Sequence, residues 1–126
     1  MSEKNKQAPG TIAWTEIATS TPAESLNFYK GLFGWDSEEI PGGNYHMLKA
    51  GGEETAGIMD KSAMCDGPPV WVTYVNVDSL ESSLAKVVEL GGKEMMGRTP
   101  VEGRGSFALA EDPQGGKFAL WEALKD

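Results

Sequence analysis

Glu16 follows Trp14 by two residues in the run Thr11-Ile12-Ala13-Trp14-Thr15-Glu16-Ile17-Ala18. Alternate side chains of a strand share a face, so this indole and this carboxylate point the same way. A carboxylate in such a place can act as a general base or a substrate anchor; the plainer alternative is a salt bridge to Lys or Arg. His46, the single histidine, lies in Asn44-Tyr45-His46-Met47-Leu48-Lys49. It is either a proton-transfer or ligand-binding group, or a surface residue with an ordinary hydrogen bond. Cys65, the single cysteine, has only Lys61 beside it as a source of positive charge. A catalytic thiolate needs a base or cation close by, so this thiol reads as unspecialised. Gly103-Arg104-Gly105 has a GxG spacing but opens no helix, which argues against a phosphate loop.

The elements that must carry these residues come in two similar sets. Thr11–Ala18 predicts a strand. Thr21 as N-cap, Pro22 at the first helical position and Glu24 in the first turn then predict a helix, with Leu26, Tyr29, Leu32 and Phe33 at helical spacing and Gly34 ending it. Strands follow at Asp36–Ile40, Asn44–Ala50 and Thr55–Met59, punctuated by Pro41-Gly42-Gly43 and Gly51-Gly52. About 58 residues on, the plan repeats. Val70–Val77 predicts a strand, and Asp78 caps a helix carrying Leu80, Leu84, Val87, Val88 and Leu90, closed by Gly91-Gly92. Lys93–Val101, Ser106–Ala110 and Lys117–Ala123 complete the second set. Met95 and Met96 lie on one of these strands, as core or pocket wall. The domain runs from 11 to 126, as modules of about 11–60 and 69–124, after a polar segment 1–10 expected to fray.

Two segments bracket this plan: Phe28-Tyr29-Lys30-Gly31-Leu32-Phe33-Gly34-Trp35, and Glu111-Asp112-Pro113-Gln114-Gly115-Gly116 leading into Lys117-Phe118-Ala119-Leu120-Trp121-Glu122. With this spacing the chain resembles the vicinal oxygen chelate superfamily of glyoxalases, bleomycin-resistance proteins and extradiol dioxygenases, from about Thr11 to Glu122. The resemblance implies an α+β fold of two βαβββ modules, a curled mixed β-sheet forming a cleft with the helices outside. It says little about the reaction, because one fold hosts many.

In metal-using members, one residue from the first strand and one from the last strand of each module converge on a divalent ion, typically His, Gln or Glu. Aligned on the motifs, these positions are Trp14, Val72, Ala119 and one of Ala56-Gly57-Ile58-Met59. Trp14 and Val72 are 58 apart, matching the module offset. None of these side chains coordinates a metal, so no metal or other cofactor is expected. Strand alternation then places Trp14, Glu16, Val72, Tyr74, Asn76, Ala119 and Trp121 towards the implied cleft, with His46 as a further candidate. Glu122, of opposite parity to Ala119, points away. Apolar aromatic walls with a few fixed polar groups suit a flat organic ligand; alternatively the aromatics fill the cleft or a dimer interface.

At 126 residues the chain makes one domain. A net charge of −8 argues against nucleic acid, whose phosphates need clustered Lys and Arg. No stretch approaches the roughly 20 apolar residues of a membrane span, and a lone cysteine fits the reducing cytoplasm. A homodimer is expected, since open sheets have edges to cover and the resembling small proteins commonly pair. Two functions stay open: a metal-independent small-molecule binder, or a glyoxalase-type lyase or isomerase.

Overall fold

The computed structural model describes residues 8–40, 45–60 and 68–124. The elements run β1 (Ile12–Thr19), α1 (Pro22–Phe33), β2 (Asp36–Glu39), β3 (Tyr45–Ala50), β4 (Glu53–Asp60), β5 (Val70–Asn76), α2 (Leu80–Glu89), β6 (Lys93–Val101), β7 (Gly105–Glu111) and β8 (Lys117–Ala123). This is the βαβββ order twice over, an α+β fold. By contact the chain divides into two compact units, Trp14–Val72 and Met1–Ala13 with Thr73–Asp126.

In Trp14–Val72 the strand order is β2-β3-β4-β1. β2, β3 and β4 run as an antiparallel meander, and β4 lies parallel to β1. The parallel return requires a crossover, which α1 begins. One sheet face buries Ile17, Leu48, Ala56 and Ile58 beneath Leu26 and Tyr29 of α1, with Trp35 alongside. Pro22 opens α1 as expected, but the Thr21 side chain makes no capping bond. The buried Thr19 hydroxyl organises the turn instead, accepting from the Thr21 backbone N–H at 3.2 Å and from the Ser25 hydroxyl at 3.4 Å. Gly34 ends the helix in the left-handed conformation at φ 71°, its N–H returning to Lys30 O. α1 has no fully buried residue. Phe28, Leu32 and Phe33, with Trp71 of β5, are exposed apolar groups, and Tyr29 makes ring contacts with Phe28, Phe33, Trp35 and Trp71.

In the other unit the order is β5-β8-β7-β6, with β5 parallel to β8 and the remaining pairs antiparallel. Here α2 carries Leu80 and Leu84 onto Ala108 and Leu120, flanked by Val77, Val87 and Phe118. The helix cap is Ser79 rather than Asp78: its hydroxyl accepts from Ser82 N–H at 3.2 Å. Gly92 is required where the chain leaves α2, because an added Cβ would strike Glu111 O and Val87. The turn before β8 is built as its residues predict. Asp112 Oδ1 accepts from Gln114 and Gly116 N–H at 2.9 and 2.8 Å, and Gly115 takes φ 94°.

Residues 1–7 of the segment expected to fray lie outside the described residues. The rest of it is tied down. Gly10 N–H donates to Asn76 O and Asn76 N–H to Thr11 O, both at 2.8 Å.

Candidate ligand-binding face

Residues paired across neighbouring strands share a sheet face. In Trp14–Val72, Glu16 pairs with Gly57, and Gly57 pairs with Met47 of β3. The face opposite α1 therefore carries Trp14 and Glu16 of β1, Tyr45 and Met47 of β3, and Gly57 of β4. The Tyr45 ring crosses β4 at Gly57, the one residue there without a side chain to obstruct it; a Cβ added at Gly57 would collide with the phenol. Trp14 Nε1–H donates to the Tyr45 hydroxyl at 2.8 Å and fixes the ring. Glu16, on the same face and 2% exposed, lies deeper than the half-buried Trp14 and Tyr45. Val72 is buried, and its carbonyl accepts from the Thr15 hydroxyl at 3.3 Å.

In the second unit, Tyr74 pairs with Ala119 and Asn76 with Trp121. Leu109 and Phe107 extend that face from β7, opposite Ala119 and Trp121. Tyr74 contacts Phe107 and Trp121 at ring-centroid distances of 5.7 and 6.5 Å, and Tyr74, Phe107 and Ala119 are buried. The Asn76 amide is engaged structurally, donating to the Thr11 hydroxyl at 3.0 Å. Aromatic contacts thus occupy much of this face.

His46 stands elsewhere. It pairs with Ile58, so it occupies the α1 face of β3 and does not join Trp14 and Glu16. Its neighbours Tyr45 and Met47 hold the places that sequence reasoning offered to His46. Glu122 lies on the α2 face of β8, where its Oε1 accepts from Leu80 N–H at 2.8 Å and Arg98 Nη2 at 2.9 Å. Arg98 also makes a two-point contact with Glu81, both distances 2.8 Å, which holds the Glu81 carboxyl at about 2. Gly103-Arg104-Gly105 is a strand-to-strand turn closed by Arg104 N–H on Val101 O. Cys65 and Lys61 lie outside the described residues.

The register also settles the fourth metal-ligand position of the resembling fold. Glu16 and Tyr74 are 58 residues apart; Tyr74 pairs with Ala119 and Glu16 with Gly57. Gly57 is therefore the counterpart of Ala119. The four positions carry an indole, an isopropyl group, a hydrogen and a methyl group, none with a lone pair for a divalent ion. These residues do not fit the family's metal. Among the described residues, no three His, Cys, Asp or Glu side chains gather as a metal site. Nor is any helix there long and apolar enough to cross a membrane.

Two βαβββ modules, each with its first strand parallel to its last, define the glyoxalase-like class of α+β proteins. The chain belongs to the Glyoxalase/Bleomycin resistance protein/Dioxygenase superfamily, which matches residues 11–120. It is 34% identical over 129 residues to the mycobacterial protein described as "Putative glyoxylase CFP32" in Mycobacterium bovis and Mycobacterium tuberculosis, covering 98% of this chain and 49% of that one. It is 30% identical over 133 residues to the anthracycline biosynthesis protein DnrV of Streptomyces peucetius, covering 90% of this chain and 47% of that one. The chain thus spans about half the length of the curated relatives it matches. Its fold is shared with an extradiol ring-cleaving dioxygenase from B. fuscum, with a TM-score of 0.63 at 21% identity over 94% of this chain and 34% of that one.

Proposed function

We propose that this chain binds a flat, oxygen-bearing aromatic molecule on the Trp14–Tyr45 face, and does so without a metal. The observation that carries this reading is the Trp14–Tyr45 hydrogen bond laid over Gly57. It puts two rings and a fixed hydroxyl where metal-using relatives place two ligands. Ring faces give stacking worth about 0.5–1.5 kcal/mol beyond burial, and the hydroxyl gives orientation. The likeness to a protein of anthracycline biosynthesis supports a fused-ring ligand, since anthracyclines are built on fused aromatic rings bearing carbonyl oxygens. A glyoxalase-type lyase or isomerase is the second reading, favoured by the mycobacterial relative's description and by the buried Glu16.

We place the chain in the cytoplasm as a homodimer. Its single cysteine suits a reducing compartment. The exposed Phe28, Leu32, Phe33 and Trp71 offer an apolar surface to a second copy, and relatives of twice the length are consistent with a paired arrangement.

The test is a titration with 1,8-dihydroxyanthraquinone, followed by tryptophan fluorescence on protein purified without a chelator and assayed for metals. One-to-one quenching by metal-free protein, lost in a folded Trp14→Ala variant, is the expected result. At 100 times its dissociation constant the ligand should add about 2.7 kcal/mol of stability. Stoichiometric Zn, Ni, Mn or Fe needed for binding overturns the metal-independent reading.

A further inference from the structure

The Tyr45 ring does not lie over its own register partner. Tyr45 pairs with Met59, yet its ring leans to Gly57, further back along β4, where the bond from Trp14 holds it. We infer that Met59 is the specificity-determining residue of this face, and that its thioether lets the face take fused-ring ligands of differing outline rather than one compound. The inference rests on the binding reading above and sets the breadth of the ligand class.

The register fixes where Met59 stands. It pairs with Ala18 of β1 on one side and Tyr45 of β3 on the other, so it shares the face of Trp14, wholly within Trp14–Val72. The phenol is turned towards Gly57 and Ala18 offers only a methyl group, so the Met59 thioether is the largest group left in this row. Met47, in the neighbouring row with Gly57, is only 5% exposed and is held by its surroundings. Met59 is half-buried. An unbranched side chain with several rotatable bonds and a polarisable sulfur can change rotamer to meet ligands of different shape once part of it reaches solvent.

The face therefore has a fixed part and an adjustable part. Trp14 and Tyr45 are tied to each other at 2.8 Å and present their rings in one orientation. Flat aromatic ligands of any outline can stack there, because stacking reads the face of a ring and not its perimeter. The perimeter is read by what stands beside the rings. Here that is a methionine, where a Val or Ile would impose one shape. Flexible methionine surfaces re-pack around unlike ligands, which is how promiscuous sites work. The ligand class is a set of fused-ring compounds, linear and angular, bearing carbonyl or hydroxyl groups.

The probes are 1,8-dihydroxyanthraquinone, whose rings are fused in a line, and urolithin A, whose rings are fused at an angle. Each is titrated into metal-free protein and followed by tryptophan quenching, with thermal melting by circular dichroism in parallel. Wild-type protein should bind the two within about threefold of each other. Met59→Ile keeps an apolar side chain of similar size but stiffens it. It should weaken one probe by about tenfold or more while the other changes only a few-fold, as a misfit of methylene scale does in an apolar pocket. Its melting should stay near wild type, since a volume-conserving exchange at a half-buried position costs little. If Met59→Ile does not fold, Met59→Leu is read the same way. An unchanged ratio of the two affinities in a folded Met59 variant overturns this inference. Discrimination of about tenfold or more by wild-type protein overturns it too, and either result leaves the binding reading standing. No binding of either probe removes both readings.

Discussion

Glu122 of β8 caps α2 from outside the helix: Leu80 N–H donates to its Oε1 at 2.8 Å. Arg98 of β6 meets the same oxygen at 2.9 Å and holds Glu81 in the first turn of α2. One guanidinium thus ties β6, the start of α2 and β8, which lies on the far side of β7, within one unit. Glu122→Ala should destabilise the protein by about 1–3 kcal/mol, because the helix loses a charge-assisted acceptor and Arg98 loses a partner. Urea unfolding with an unchanged slope checks it. A midpoint equal to wild type contradicts the capping role.

The Arg98–Glu81 pair has a defined pH signature. Arg98 holds the Glu81 carboxyl at about 2, below its ordinary 4.5. A depressed folded value means that the stabilisation is fully present above pH 4.5 and is lost as pH falls towards 2. Glu81→Gln should therefore melt below wild type at pH 7, and the gap should close across that acid range. Both groups are substantially exposed, so the gap should be small and shrink further in molar salt.

Gly57→Ala tests the seat of the Tyr45 ring. Gly57 is not among the glycines with positive φ, so the added methyl meets a steric obstacle and no backbone penalty. The phenol must move and the bond from Trp14 must break, at about 1–3 kcal/mol for the overpacking. Trp14 fluorescence should change with it. A stable Gly57→Ala protein that retains the Trp14–Tyr45 bond in a crystal structure contradicts the placement.

Light scattering at micromolar concentration should return twice the 13.5 kDa chain mass. Phe28→Asp with Leu32→Asp should bring it back to one chain, while circular dichroism stays unchanged, because both side chains are exposed in the single chain. A wild-type monomer rules out the dimer.

The fold was legible because its signals are local. Pro22 and Gly34 bracket α1, Asp112 to Gly116 spell the turn before β8, and the 58-residue offset links Trp14 to Val72. The cap positions were less so: Thr21 and Asp78 are good capping types, yet Thr19 and Ser79 have the geometry. The site was half legible. Period 2 divides each strand into two faces, and that sufficed for β1, β5 and β8. It does not say which face of β3 lies beside Trp14. That depends on Met47 pairing with Gly57, a relation fixed by register across the β3–β4 turn and its irregularity at Leu48/Lys49. Hence His46, a candidate from sequence, shares the α1 face with Ile58, and the adjacent Tyr45 is the residue that shares the face of Trp14.

The bonds from Asn76 to Gly10 and Thr11 make one unit discontinuous in sequence, and the Asn76–Thr11 side-chain contact spans 65 residues. During synthesis, every residue of Trp14–Val72 leaves the ribosome before any of Thr73–Asp126. The early unit can close through contacts within itself, whereas the late one must recover the first-made part of the chain across a long loop, a slow kind of closure. The leading edge of β1 is thus made first and secured last. Proteolysis of stalled nascent chains should find Ile12 and Ala13 cleavable until β5 has emerged and protected afterwards.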